Sequence, residues 1–103
     1  MKIIKKLAEM IDDELDGACE YAKEALMYKD ERPGLADTFY KLSMVEMEHM
    51  TTLHKLVVDM INEYKDKNGD PPDNMMALYN YIHEKQIDHA NKVKCYQEQY
   101  KTS

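Results

Sequence analysis

The sequence has no tryptophan, one phenylalanine, three glycines, three prolines and two cysteines in 103 residues. Cys19 and Cys95 lie far apart, which excludes a disulfide framework and a clustered thiolate metal site, and we expect two free thiols in a reducing cytoplasm. No apolar run approaches the length that crosses a bilayer. The short apolar run near the N-terminus is followed at once by acidic residues, unlike a signal peptide. We therefore expect a cytoplasmic protein.

Basic residues are outnumbered by acidic ones: the sequence has 14 Lys and Arg and 20 Asp and Glu, which gives a net charge of -6. This balance argues against a nucleic-acid partner and offers no basic surface for an anionic membrane. The length fits one small domain spanning residues 1–103. Its core is marginal unless the helices pack well or a partner chain adds surface.

The spacing of apolar residues predicts an all-α, antiparallel three-helix chain. The three helices are expected at about residues 3–29, 35–65 and 74–100. Pro33 and Gly34 mark the first connection, Asn68-Gly69 suits the end of the second helix, and Asp73 is placed to cap the third. A tight first connection makes the first two helices an antiparallel hairpin.

The second helix carries an acidic residue on its apolar face. At about 100° per residue, that face consists of Leu35, Phe39, Leu42, Met50, Leu53, Val57 and Met60. Glu46 points into the centre of this face with His49 at its edge, whereas Glu48 points away. A carboxylate there is costly unless it is paired, either with a Lys, Arg, Tyr or second carboxyl group, or with a metal. A Glu and a His at i and i+3 stand side by side and can bind one cation or bridge two.

Height along the helices predicts which inward polar residues meet. With a rise of about 1.5 Å per residue, Glu14 of the first helix and His89 of the third lie at the level of Glu46 and His49. Four inward polar groups at one level of an apolar bundle predict a site. Oxygen ligands with an imidazole suit iron, manganese or zinc, and paired helical carboxylates favour a two-metal centre.

These residues resemble the ferritin-like superfamily. Glu46-Met-Glu-His49 is similar to the Glu-x-x-His iron-binding element of rubrerythrins, and Glu14 lies 32 residues upstream, close to where those proteins carry the ligand of the first helix. Tyr21 follows Glu14 by seven residues, which resembles the Glu-x6-Tyr pattern of that helix. The match covers residues 10 to about 54.

The third helix departs from the family, because it has no Glu-x-x-His and no inward carboxylate. The arrangement also resembles the encapsulated ferritins, in which two hairpins pair around a di-iron centre. That resemblance implies a four-helix bundle completed by dimerisation, with Glu14, Glu46 and His49 of each of two chains holding two irons per dimer. Glu46 would be the bridging, catalytic ligand and Tyr21 a hydrogen-bond donor beside it. The implied function is a non-haem di-iron ferroxidase, an oxidoreductase that oxidises Fe(II) with oxygen or peroxide.

Other interpretations remain open. One is a metal-free helical interaction module, with Glu46 protonated or hydrogen-bonded to Tyr21 and His89; another is a ferritin-like protein that binds zinc structurally without turnover. His54, on the flank of the second helix, is either a partner-facing histidine or a further ligand. His83-Glu84 can be ligands only if the third helix is rotated. A protein partner or an enclosing shell also fits the sequence.

Overall fold

A computed structural model describes residues 2–103 as three helices joined by short connections. The helices are α1 (Lys2–Tyr28), α2 (Pro33–Asn68) and α3 (Asp73–Thr102), and no strand occurs within residues 2–103. The predicted all-α chain is confirmed, with boundaries that differ from the predicted ones by one to three residues. The molecule is a rod of 56 × 19 × 18 Å.

The connection between α1 and α2 is shorter than predicted because Pro33 belongs to α2. It occupies the first position of that helix, where proline's missing N–H removes nothing, since the first helical N–H groups have no partner inside the helix. α1 ends at Tyr28, whose carbonyl accepts a hydrogen bond of 2.9 Å from the N–H of Arg32. The turn is therefore tight and returns α2 directly along α1.

The second connection confirms one capping prediction and corrects another. Gly69 ends α2 with φ of 78°, the left-handed region that favours glycine, and its N–H donates to the carbonyl of Lys65 at 2.9 Å. The cap of α3 is Pro72 rather than Asp73, so the predicted capping role of Asp73 is wrong. Asp73 is instead the first residue of α3, where its negative charge complements the positive end of the helix dipole.

Contacts between the helices give their directions. The Ser43 hydroxyl of α2 donates to the carbonyl of Ala18 of α1 at 2.7 Å, and further along α2 the Nδ1 of His49 lies 3.3 Å from the Oε2 of Glu14, earlier in α1. The Gln86 amide of α3 donates to the carbonyl of Ala8 at 3.1 Å, and further along α3 the Tyr100 ring lies 4.9 Å from the Nζ of Lys29. α2 therefore runs antiparallel to α1, as predicted, and α3 runs parallel to α1.

α1 supplies most of the buried core. The alanines Ala18, Ala22 and Ala25 are fully buried, and their small side chains let α2 and α3 approach α1 closely. The main apolar cluster consists of Leu7, Ile11, Leu15, Ala18, Cys19, Met47, Val57 and Val93. Cys19 and Cys95 are both free thiols, as expected.

α2 is rotated relative to the prediction. Leu42, placed on the buried face by its spacing, is 38% exposed, whereas its neighbour Ser43 is fully buried. The Ser43 hydroxyl is buried at little cost because it donates to Ala18 and accepts a bond of 2.9 Å from the Gln97 amide. The predicted burial of Leu42 is therefore wrong, and its side of α2 faces solvent.

Within residues 2–103, no helix combines the length and the apolar character that a membrane span requires.

Candidate metal centre

Glu14 of α1 meets Glu46 and His49 of α2 midway along the hairpin. One ligand atom from each residue lies within 4.8 Å of the other two. The Nδ1 of His49 is 3.3 Å from the Oε2 of Glu14 and 3.9 Å from the Oε1 of Glu46. Ligands on one cation with bonds of about 2.0–2.2 Å lie roughly 3 Å apart, so small side-chain shifts would suffice to close on an ion. The three residues chosen from the sequence are brought together.

Gly17 makes room for this cluster, and sequence reasoning gave it no role in the site. A Cβ built on Gly17 would lie 3.1 Å from the Oε2 of Glu46. The carboxylate therefore packs against the backbone of α1, one turn after Glu14. A glycine inside a helix, three residues after a candidate ligand, is the signal that points to it.

The charges of the cluster favour a cation or a shared proton. A hydrogen bond with Glu14, burial, and the negative charge of Glu14 together raise the pKa of Glu46, and His49 partly opposes this rise. Two neighbouring carboxylates are not readily ionised together unless a positive charge lies between them. Protons and a metal cation would therefore compete for the carboxylates of the cluster.

One side of the cluster is open. The side chain of His49 is 55% exposed, and those of Glu14 and Glu46 are 25% and 26% exposed. Several large apolar side chains of the hairpin are 38% to 48% exposed. They lie, at 100° per residue, on the sides of α1 and α2 that carry the cluster, and we call them the hairpin face: Ile3, Met10, Leu42, Val45 and Leu56. An uncovered apolar surface around a polar centre is typical of an interaction site.

His89 is not brought to the cluster, which corrects its predicted place. Its Nε2 lies 3.9 Å from the Oδ1 of Asp16. Asp16 is about 200° around α1 from Glu14, because each residue turns the helix by about 100°. The height of His89 along the bundle does not bring it to the cluster, because α3 packs against another side of α1.

Tyr21 lies on the side of α1 that carries Glu14, but it makes a different contact. Its ring stacks with that of Phe39, with centroids 6.1 Å apart. Within residues 2–103, no hydrogen bond links its hydroxyl to Glu14 or Glu46. Tyr21 therefore does not make the predicted hydrogen bond in this structure.

His54 and His83 contact each other rather than the cluster, with ring centroids 5.0 Å apart. Glu84 is exposed beside His83. The Gln86 amide is buried and donates hydrogen bonds to two groups of α1, the carbonyl of Ala8 and the carboxylate of Asp12. Its role is to join α3 to α1.

Comparisons with known proteins assign no family to the chain. No protein-family model matches it, and searches of curated proteins and of solved structures found no match. The fold and the cluster define an all-helical protein with a candidate metal centre of two carboxylates and one imidazole. The resemblance to the ferritin-like superfamily, predicted from the motifs at Glu14, Tyr21 and Glu46–His49, therefore stays a prediction.

Proposed function

We propose that the protein is a non-haem di-iron ferroxidase whose centre is shared between two copies of the chain. The observation that carries this proposal is the convergence of Glu14, Glu46 and His49, with ligand atoms within 4.8 Å of one another. Two carboxylates and an imidazole suit iron, with manganese or zinc as the other candidates.

The proposal of a homodimer follows from the number of ligands. Di-iron carboxylate bundles use a Glu from each of two helices and a Glu-x-x-His from each of the other two. One chain has half of this set, and a second copy related by a two-fold axis would add the same three residues. The hairpin face gives the two copies an apolar surface to bury, and such an isologous contact would pair it with itself.

Each residue has a distinct task in this proposal. As the ferritin-like resemblance implies, Glu46 would be the ligand shared by the two ions, and Glu14 and His49 would be the ligands of single ions. As the substrate, Fe(II) would supply the electrons: two Fe(II) would be oxidised to two Fe(III), while one O₂ would take up two electrons and two protons to give hydrogen peroxide. Glu46 must be ionised to bind a cation, so protons and the metal would compete for it. The open side of the cluster gives small molecules access.

A second candidate function is a metal-free interaction module. The uncovered hairpin face favours it, and a proton shared by Glu14 and Glu46 would then replace the metal. A structural zinc site without turnover is the third. In either case the chain would not consume oxygen, so oxygen uptake distinguishes both functions from a ferroxidase.

The test is the metal content per chain after anaerobic loading with Fe(II), followed by oxygen uptake. We expect about one iron per chain and oxygen consumption, with both lost in Glu46→Ala and His49→Ala. Glu48→Gln is the matched control, because Glu48 is an exposed carboxylate of the same helix outside the cluster. It should bind and oxidise iron like the wild type.

Three outcomes would contradict the proposal. No stoichiometric metal under any loading would leave the interaction module as the better account. Bound metal without oxygen uptake would favour the structural zinc site. Full occupancy of a protein that light scattering shows to be a monomer would exclude a shared centre.

A further inference from the structure

Two histidines from different helices form a pair outside the carboxylate cluster. The rings of His54 on α2 and His83 on α3 have centroids 5.0 Å apart and planes 16° apart. The ring of Tyr79 also stacks on that of His83, with centroids 5.7 Å apart. The imidazoles therefore lie at the contact between α2 and α3.

Each imidazole has a buried nitrogen without a hydrogen-bond partner. These atoms are the Nε2 of His54 and the Nδ1 of His83, in the part of the chain that the structure describes. Buried polar atoms nearly always have a partner, so two neighbouring exceptions call for a bound water or ion. A cavity of about 180 Å³ adjoins both rings, and Thr51 and Gln86 also line it. It has room for an ion and its water ligands.

We propose that His54 and His83 bind one divalent transition-metal ion that bridges α2 and α3. The neutral imidazole nitrogen is a common ligand of Zn²⁺, Ni²⁺ and Cu²⁺, and water would occupy the remaining positions. This site uses none of the residues of the carboxylate cluster and does not depend on the function proposed for that cluster.

The surroundings of the pair are mostly apolar. Burial, and to a smaller extent the charge of His83, lower the pKa of His54, which favours its neutral imidazole form. The apolar side chains of Ile11, Met50 and Ile87 line the same cavity and offer no competing charge.

Binding requires one local movement. Two nitrogens on one ion, with bonds of about 2.0–2.1 Å, lie no more than about 4 Å apart. Because the unpartnered nitrogens of His54 and His83 are buried and do not face the cavity, at least one ring must turn about its Cβ–Cγ bond so that its nitrogen points into the cavity. The bound ion would then join α2 to α3, which the hydrogen bond from the Gln97 amide to the Ser43 hydroxyl also links.

The test is zinc titration by isothermal calorimetry of the full chain in a Glu46→Ala, His49→Ala background, which removes the first site. We expect one zinc per chain, and affinity that falls by more than about tenfold in His54→Phe and in His83→Phe. Phenylalanine keeps an aromatic ring in the stack but has no ligand atom. His89→Phe is the matched control, because His89 is also a half-buried histidine of α3, and it should not change the affinity.

A second measurement keeps the proposal testable if those variants fail to fold. Zinc added to the otherwise unmodified double variant should shift the side-chain NMR resonances of His54 and His83 and raise the melting temperature. Equal zinc affinity in all histidine variants, or unshifted resonances of both rings, would overturn the proposal and indicate a water in the cavity. Retained zinc binding without iron oxidation in the wild type would overturn only the ferroxidase.

Discussion

The carboxylate of Glu46 of α2 packs directly against Gly17 of α1. A Cβ on Gly17 would stand 3.1 Å from the Oε2 of Glu46, closer than such contacts normally are. A glycine in the middle of a helix costs roughly 0.5–1 kcal/mol relative to alanine. A larger side chain at this position would crowd the Glu46 carboxylate, which explains why a glycine is present despite this cost.

Gly17→Ala should therefore separate stability from metal binding. The methyl group would raise the helical propensity of α1 by up to about 1 kcal/mol, while it pushes the partly exposed Glu46 carboxylate outward by a few tenths of an ångström. We expect unchanged or higher stability in denaturant and several-fold weaker metal affinity. Gly34→Ala is the control, because nothing lies within 4 Å of a Cβ there. Unaltered metal affinity in Gly17→Ala would contradict this role of the glycine.

Glu46→Gln should stabilise the metal-free protein at neutral pH. The pKa of Glu46 is raised in the folded state from its ordinary value of 4.5, so the stability contributed by the protonated group is present below pH 4.5 and is lost as the pH rises through the folded pKa. Glutamine does not ionise and avoids this loss. The gain in unfolding free energy should therefore be largest above the folded pKa and shrink as the pH falls toward 4.5.

Denaturant titrations over this pH range measure the effect, with Glu48→Gln as the comparison on the exposed side of α2. A gain that stays constant with pH, or that Glu48→Gln reproduces, would show that the charge of Glu46 is not the cause.

Leu42→Glu should weaken self-association. Leu42 lies in the hairpin face at 38% exposure, beside the cluster, so a charge there would be buried at the proposed two-fold contact. Light scattering should report twice the mass of one chain for the wild type and a shift toward the single chain for the variant. Leu78→Glu is the control, because Leu78 is 60% exposed on α3, outside the hairpin face. Equal masses for all three proteins would argue against this contact.

Ser43→Ala should destabilise the fold by about 1–3 kcal/mol, because the buried Gln97 amide loses its acceptor. The Ala18 carbonyl loses a donor as well. Replacing both Ser43 and Gln97, by alanine and leucine, should cost less than the sum of the single changes, which a double-mutant cycle in denaturant measures. Additive costs would show that the two side chains are not coupled.

The sequence by itself determined the three helices, the direction of the hairpin and the meeting of Glu14 with Glu46 and His49. These properties are local or nearly so. Helical spacing predicts the helices, a tight turn at Pro33 makes α1 and α2 antiparallel, and the constant rise per residue sets the heights of residues that face each other. The i, i+3 spacing places Glu46 and His49 together without reference to any other helix.

Only the tertiary structure decided how each helix is turned about its own axis. Ser43 rather than Leu42 is buried because Ala18 and Gln97 satisfy its hydroxyl, and no apolar pattern encodes that pairing. His89 faces Asp16 because α3 packs on another side of α1. The same packing brings His54 to His83, two residues that are 29 positions apart in the chain. Rotation depends on the shapes and polar partners of all three helices at once, which the periodicity of one helix does not contain.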